Sequence, residues 1–307
     1  MSTEPLRGIL AILVTPFDEA LAFDEESHHA QVEFAIAAGA SGVISTAVYG
    51  EFFTLSDRER RRIAKVTVAA ASGRVPVIAT VSGVSTAHAV ELTRDAADVG
   101  VDAVMAMPPY FAQLGAAGVE DYFRQIAAKA PGPVILQNAS DFIGAPLRPE
   151  QLAPLFEQIE ELDYLKEEVP PNPGSVGAAA AVLGERVRGI FGGHGGMYMV
   201  TEYRRGATGN MPAPEFLELT VAIDRLLRAG DEDGARAVHA RLTPALVWER
   251  LLGVAWTKQV LVRRGVIRSA ATRMPSAALE REDALELERL LDGLADLLTT
   301  PGPLAAG

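Results

Sequence analysis

Short apolar runs alternate with longer amphipathic segments along most of this 307-residue chain. The short runs are rich in Val, Ile and Ala, as strands buried on both faces of a parallel sheet are. The longer segments carry apolar residues at three- and four-residue spacing, which is typical of helices. Alternation of strands and helices predicts a parallel α/β fold. The eight runs are Gly8–Phe17, Gly42–Val48, Pro76–Ser82, Ala103–Pro109, Pro133–Ala139, Tyr164–Glu168, Val187–Gly193 and Gly206–Pro212.

Eight strand–helix units at a spacing of roughly 30 residues favour a closed barrel over a doubly wound sheet. The glycine pattern of a dinucleotide fold is absent after the first run, and the Gly192–Gly196 cluster has a different spacing. From Glu215 to about Thr300 the pattern is wholly helical, with breaks expected near Gly230, Pro244 and Gly265. We therefore predict a (β/α)8 TIM barrel in residues 1–225 and a C-terminal helical appendage, packed on the barrel, in residues 226–307.

Composition restricts the partners. A net charge of −12 disfavours nucleic acid and anionic membranes, and the absence of cysteine excludes disulfides and thiolate metal sites. No apolar stretch approaches the length of a membrane span, and no signal peptide is visible, so a cytoplasmic protein is expected. Of five histidines only His194 falls at the end of a predicted strand. A metal-dependent aldolase is thus a weak alternative, and no cofactor is predicted.

Lys166 is the residue whose position most suggests chemistry. In a barrel of this type the active site lies at the carboxyl ends of the strands, and Lys166 ends a run that should be buried. Strand alternation places Tyr164, Lys166 and Glu168 on one face and Glu167 on the other. If the first face is the lumen, Lys166 can be a nucleophile; otherwise it pairs structurally with a glutamate. The other lysines, Lys65, Lys129 and Lys258, are expected to have no chemical role.

Several motifs give the chain a clear resemblance. Leu13–Phe17, Gly50-Glu51 followed by Thr54-Leu55-Ser56, and Pro108–Phe111 resemble motifs of the pyruvate-dependent aldolase superfamily of dihydrodipicolinate synthase and N-acetylneuraminate lyase. Lys166 falls where that superfamily carries its Schiff-base lysine. The resemblance covers about Arg7 to Pro212 and implies a lyase acting on a 2-oxo acid, with tetramers built as dimers of dimers.

Departures from the family pattern bear on the substrate. The two threonines of the family fall at Val48 and Tyr49, its relay tyrosine at Gln137, its distal-carboxylate arginine at Phe142, and its second strand-four tyrosine at Phe111. These losses make true dihydrodipicolinate synthase activity unlikely. The chain is most similar in motif to 2-keto-3-deoxy-L-arabonate dehydratase-like members, through Val104–Tyr110, Tyr49–Phe53, Gln137, Lys166–Glu168 and Gly206–Gly209.

The resemblance implies site residues. We expect catalysis by Lys166, Glu168 and Tyr110, with Glu51 a further acid–base candidate unless it only braces its loop. The expected substrate-binding residues are Thr46, Val48, Tyr49, Gly50, Glu51, Phe111, Gln137, Asn138, Gly193 and His194. A dehydratase for 2-keto-3-deoxy sugar acids is the leading interpretation. The alternatives are a pyruvate-dependent aldolase or hydratase-aldolase with an apolar or aromatic acceptor, and a non-catalytic barrel that binds 2-oxo acids.

Overall fold

Eight parallel strands close into a barrel in the computed structural model, which describes residues 5–110, 114–139, 145–275 and 279–304. Each strand pairs with the next along the chain, and the first pairs with the eighth. The predicted (β/α)8 fold is therefore confirmed. Strands β1 to β8 are Gly8–Ile12, Gly42–Ser45, Val77–Thr80, Ala103–Ala106, Val134–Asn138, Leu162–Glu167, Gly189–Gly192 and Gly209–Asn210.

Helices follow the strands and surround the barrel. Helix α2 begins after a capping box between Ser56 and Glu59, as its sequence predicts. The eighth strand is much shorter than the run that predicts it. Helices α1 to α11 are Glu25–Ala37, Asp57–Ala71, Thr86–Val99, Ala116–Ala127, Pro149–Gln158, Gly174–Leu183, Met199–Tyr203, Leu217–Arg228, Glu232–Leu252, Val254–Arg263 and Arg281–Leu294.

The breaks expected near Gly230 and Gly265 are confirmed, since α8 ends at Arg228 and α10 at Arg263. Helix α9 runs through Pro244 without interruption, so the break expected there is wrong. Pro244 is exposed, and water can satisfy the carbonyl that loses its partner one turn earlier. The chain instead breaks at Gly253, whose φ of 58° is a left-handed conformation that glycine adopts easily. We propose that the barrel ends with α8 and that the C-terminal region begins after it.

Two apolar layers hold the barrel together. One fills the space between strands and helices, and the other plugs the lumen. The lumen plug consists of Leu10, Ile12, Ile44, Ala47, Ile78, Ala103, Met105, Ile135, Tyr164, Phe191 and Met211. Polar residues begin where this apolar plug ends. There, Gln137 of β5 lies in register with Lys166 of β6. None of the described helices is long and apolar enough to cross a membrane.

Candidate active site

A cavity of about 560 Å³ opens at the carboxyl ends of the strands, between the barrel mouth and α9. Its floor is formed by the ends of strands, and its roof by the carboxyl-terminal half of α9 and the segment that follows α10. The lining residues are Ile12, Val48, Tyr49, Phe53, Gln137, Ala139, Lys166, Glu168, His194, Gly195, Met211, Ala213, Leu246, Glu249, Arg250, Leu251, Leu252, Gly253, Val254, Met274 and Pro275.

Lys166 and Glu168 form an ion pair on the floor of this cavity. The Lys166 Nζ lies 2.9 Å from Glu168 Oε2, and the lysine side chain is only 4% exposed. The Gln137 amide donates to the same carboxylate oxygen at 2.9 Å. Burial alone would raise the pKa of Glu168, but the Lys166 charge, His194 and these hydrogen bonds outweigh it and lower the pKa. Glu168 is therefore an ionised carboxylate beside a buried amine.

His194 and Gly193 close the far side of the ion pair. The His194 backbone N–H donates to Glu168 Oε1 at 3.4 Å, and its ring Nε2 lies 3.2 Å from the Glu168 carbonyl oxygen. A Cβ on Gly193 would lie 2.0 Å from Glu168 Oε1, so only glycine permits this approach. Gly193 thus contacts Glu168 and does not itself line the cavity.

Strand alternation separates Glu167 from Glu168. Glu167 points away from the lumen, where Asn138 Nδ2 donates to its carboxylate at 2.8 Å. The same Asn138 exchanges hydrogen bonds with the backbone of Leu147. Burial raises the pKa of Glu167 to about 7. Asn138 therefore uses its amide on the outer face of the barrel and does not line the cavity, and its expected contact with substrate stays a prediction.

The loop after β2 contributes two of its predicted residues to the cavity. Val48 and Tyr49 line it. Thr46, in a left-handed conformation with φ 55°, turns its hydroxyl to the backbone carbonyls of Ser45 and Thr80. The Gly50 carbonyl accepts from the Thr15 hydroxyl at 2.7 Å. Thr46 and Gly50 therefore shape the loop and do not line the cavity, and their expected contacts with substrate stay predictions.

Glu51 braces this loop instead of facing substrate. Its carboxylate is fully buried, accepts from Lys258 Nζ at 2.6 Å, and accepts from the backbone N–H groups of Arg273 and Met274. The ammonium of Lys258 also donates to the Ala271 carbonyl and lies 4.4 Å from the ring centroid of Phe17. Lys258 thus has a structural role, which the sequence did not predict. A lysine in a mostly apolar helix gave no sign that its partner lay 207 residues away.

Tyr110 does not line the cavity. It packs in a small apolar cluster with Phe52 and Met107, next to the cavity-lining Val48 and Ala139. Its expected catalytic role therefore has no support from its position. Phe111 and Phe142 lie outside the described residues.

The sequence analysis missed the contribution of α9. Glu249 lines the cavity, is buried, and is close enough to the Tyr49 hydroxyl to interact with it. One signal was available: Leu242, Ala245 and Leu246 mark the buried face of α9, and Glu249 continues it at helical spacing. An acidic residue on such a face is rarely buried without a partner. Within the described residues, no group of three or more His, Asp or Glu side chains is arranged to hold a metal ion.

Comparison with known proteins gives a consistent set of relatives. A model of the dihydrodipicolinate synthetase family matches residues 5–294. The L-2-keto-3-deoxyarabonate dehydratase of Azospirillum brasilense is 29% identical over 300 residues, covering 95% of this chain and 97% of its own. The 4-hydroxy-tetrahydrodipicolinate synthase of Mesorhizobium japonicum is 30% identical over 298 residues, covering 92% and 96%. The crystal structure of a dihydrodipicolinate synthase from Rhodopseudomonas palustris superposes with a TM-score of 0.86 at 26% identity, covering 94% and 98%.

Proposed function

Because this chain belongs to the dihydrodipicolinate synthetase family, we propose that it dehydrates a 2-keto-3-deoxy sugar acid through a Schiff base on Lys166. Members of this family are lyases and aldolases that use a Schiff base, and the chain is an enzyme of that kind. One observation supports the assignment of the Schiff base to Lys166. Lys166 is buried at the floor of the cavity with a carboxylate 2.9 Å from its amine.

The ion pair can start the reaction without another protein group. Glu168 takes the proton of the Lys166 ammonium, and the neutral amine attacks C2 of the 2-oxo acid. Glu168 then returns this proton to the hydroxyl group of the carbinolamine, which leaves as water, so that Glu168 is ionised again. The resulting iminium is an electron sink and acidifies C3. Glu168, on the same face as the amine, is placed to remove the C3 proton. The substrate carboxylate would be held by backbone N–H groups of Val48 and Tyr49, since the family threonines are missing there.

Three features favour a dehydratase within the family. Gln137 stands where the relay tyrosine is expected, and an amide is neither an acid nor a base at neutral pH. The cavity offers Tyr49, Glu249 and His194 as partners for the hydroxyls of a sugar acid. The relative in Azospirillum brasilense carries the name of such a dehydratase and is similar over nearly its whole length.

A second candidate is a hydratase-aldolase with an apolar or aromatic acceptor. The observation that favours it is the apolar roof of the cavity, where Phe53, Leu246, Leu251 and Met274 face the opening. Such walls suit a ring or an alkyl chain better than a second carboxylate. This reaction uses the same iminium and breaks the C3–C4 bond.

Product analysis distinguishes the candidates. The enzyme is incubated with a panel of 2-keto-3-deoxy sugar acids, including 2-keto-3-deoxy-L-arabonate, and the products are identified by mass spectrometry. We expect a product lighter by one water, with turnover unchanged by a chelator. Release of pyruvate and an aldehyde would instead support the aldolase.

Binding without turnover of either kind would contradict both catalytic candidates and leave a 2-oxo acid binding protein. Lys166→Ala is the control, because it should abolish either reaction while the fold, checked by circular dichroism, is retained. Loss of turnover on chelation would contradict the Schiff-base mechanism and favour a metal-dependent aldolase.

A further inference from the structure

We propose that Tyr49 and Glu249 form the acid–base pair that delivers a proton to the leaving hydroxyl at C4 of the substrate. This inference rests on the proposed Schiff-base dehydration and names the group that completes it. It assigns a catalytic role to the C-terminal region, which supplies Glu249 from α9. Tyr49 comes from the loop after β2, so the pair joins the two parts of the chain across the cavity.

The position of Glu249 is the first argument. Its side chain is buried, yet it lines the cavity that also contains Lys166 and Glu168. A Cβ on Gly195 would lie 2.3 Å from Glu249 Oε2, so the carboxyl group rests directly on the Gly195 backbone. Gly195 follows His194, whose backbone N–H and ring both contact Glu168. Glu249 therefore approaches the ion pair from the roof, opposite the barrel floor.

Tyr49 connects the Glu249 carboxyl group to the part of the cavity above the Lys166 amine. Its hydroxyl is close enough to the Glu249 carboxyl group to interact with it, and its ring lines the same cavity. Burial and the nearby carboxylates raise the pKa of Tyr49 well above its ordinary value. The phenol therefore stays neutral and can pass a proton only by receiving another from Glu249.

A second buried carboxyl group keeps a proton on Glu249. Glu215, which follows β8, accepts from the Thr257 hydroxyl at 2.8 Å through Oε1, and its Oε2 has no partner among the described residues. Burial and the charge of Glu215 raise the pKa of Glu249 well above its ordinary value, and burial raises the pKa of Glu215 to about 7. Two buried carboxyl groups that repel each other do not both ionise easily at neutral pH.

The cavity therefore holds carboxyl groups in opposite protonation states. Lys166, His194 and Gln137 lower the pKa of Glu168, whereas burial and Glu215 raise the pKa of Glu249. Two carboxyl groups whose surroundings push their pKa values apart are the usual arrangement for a base and an acid in one active site. Glu168 suits removal of the C3 proton, and Glu249 suits donation.

The step balances in atoms and charge. Glu168 takes the C3 proton, and the C3–H electron pair forms the enamine between C2 and C3. The enamine then expels the C4 hydroxyl group: the C4–O bond breaks, the C3–C4 double bond forms, and the iminium returns. Tyr49 gives its proton to the departing oxygen, which leaves as water, and Glu249 restores the proton to Tyr49. Solvent exchanges the proton from Glu168 back to Glu249 before the next turnover.

The effect of pH on this pair depends on its charged and titratable neighbours. Glu249 interacts with Tyr49 from the β2 loop and with Glu215 from the turn after β8, and its carboxyl group rests on the backbone of Gly195, the residue after His194. The guanidinium of Arg264 acts on Glu215. Since Glu249 must be protonated to act, kcat should fall as the pH rises through its pKa. Glu215→Gln removes the charge that helps to raise this pKa and should move the fall to lower pH.

Two variants test the assignment. Glu249→Gln and Tyr49→Phe should lower kcat for the sugar acid by about 10²- to 10⁴-fold, the usual contribution of a general acid, with little change in KM. Both should still form the borohydride-reduced pyruvate adduct and exchange the C3 protons of pyruvate in D₂O, because these steps use only Lys166 and Glu168. Glu202→Gln is the matched control: it removes a buried carboxyl group whose pKa burial raises to about 8 and which does not line the cavity.

The outcomes separate this proposal from the one it rests on. Full turnover by Glu249→Gln, or an unmoved pH profile in Glu215→Gln, overturns the acid–base pair while leaving the Schiff base intact. Loss of adduct and exchange in a folded Glu249→Gln variant also overturns it, because the residue would then serve the geometry of Lys166. Absence of any adduct in the wild-type enzyme overturns the Schiff-base proposal and the pair together.

Discussion

Lys166, Glu167 and Glu168 are three consecutive charged residues with three different surroundings. The first and third face the cavity and contact each other, whereas Glu167 faces the helix layer and pairs with Asn138. Successive side chains of a strand point to opposite faces, and this alternation alone produces the difference. Two adjacent glutamates thus have different roles, because a step of one residue along a strand moves the side chain to the other face.

Glu168→Gln should therefore abolish most turnover, while Glu167→Gln should not. The first substitution keeps size and hydrogen bonding but removes the base beside the amine, so kcat should fall by at least about 10²-fold. The second removes a buried carboxyl group of the same kind one residue away. Steady-state kinetics of both variants with the same sugar acid measure the difference. Equal losses would mean that Glu168 acts only through the fold.

Gln137 should set the acidic limit of activity. Its amide donates to Glu168 at 2.9 Å and is one of the contacts that lower the pKa of that carboxyl group. Gln137→Leu should raise the pKa of Glu168 toward its ordinary value. Because Glu168 must be ionised to act as a base, the acidic limb of the kcat profile should then move to higher pH. An unmoved limb would show that another group controls it.

The residues on the floor of the cavity could be predicted from the sequence, but those on its roof could not. Lys166, Glu168 and Gln137 could be predicted because strand alternation and a family resemblance place them in one register. Glu249 and the Lys258–Glu51 pair could not, since their partners come from distant segments that only the packed chain brings together. Thr46 and Asn138 were assigned to the cavity because strand-end position does not reveal which way a side chain turns.

Among the elements, the loop after β2 depends most on the C-terminal region. Glu51 adopts a left-handed φ of 53° at the start of a short helical turn, and its carboxylate is bound to Lys258 of α10 and to the backbone at Arg273 and Met274. Met274 lines the cavity, as does Tyr49 two residues before Glu51. One buried ion pair therefore fixes two walls of the cavity relative to each other.

Lys258→Met should destabilise the protein strongly. It leaves the Glu51 carboxylate buried without its cation, a change that typically costs about 3–5 kcal/mol. Lys129→Met, at an exposed site on the helix side of the barrel, should change the free energy of unfolding by no more than about 0.5 kcal/mol. Urea denaturation of both variants gives the comparison. Adding Glu51→Leu to Lys258→Met should recover part of the loss, and equal stabilities of the two single variants would contradict the account.

Element boundaries were predicted with uneven success for physical reasons. The barrel strands carry continuous apolar runs, so all eight were recognised, but the runs continue past the carboxyl ends of the strands, as Gly8–Phe17 does past Ile12. The eighth strand consists of Gly209 and Asn210, and it pairs with β1 and β7 over these two residues alone. Pro244 was expected to end a helix, but solvent exposure lets α9 continue through it.

For the whole molecule, the C-terminal region is part of the catalytic apparatus in this account. Helix α9 packs on α8 and covers the barrel mouth, and the chain after α10 completes the cavity wall. We propose that the barrel ends after α8, but that residues on both sides of this boundary serve the same active site. Truncation at that point would remove Glu249 and Lys258 together.

The family resemblance leads us to expect a tetramer arranged as a dimer of dimers. Exposed Val247 and Leu251 of α9, together with Phe53, place apolar side chains near the cavity opening. Light scattering after size-exclusion chromatography should give about four times the chain mass of 32.6 kDa. A mass equal to one chain, with full activity, would contradict this expectation.

Trapping with borohydride tests the central claim most directly. The wild-type protein and Lys166→Ala are each incubated with pyruvate and sodium borohydride and then weighed by mass spectrometry. We expect a reduced pyruvyl adduct on the wild-type protein, located at Lys166 by peptide mapping, and none on the variant. An unmodified wild-type protein, with pyruvate and with longer 2-oxo acids alike, would contradict the claim that Lys166 forms the Schiff base.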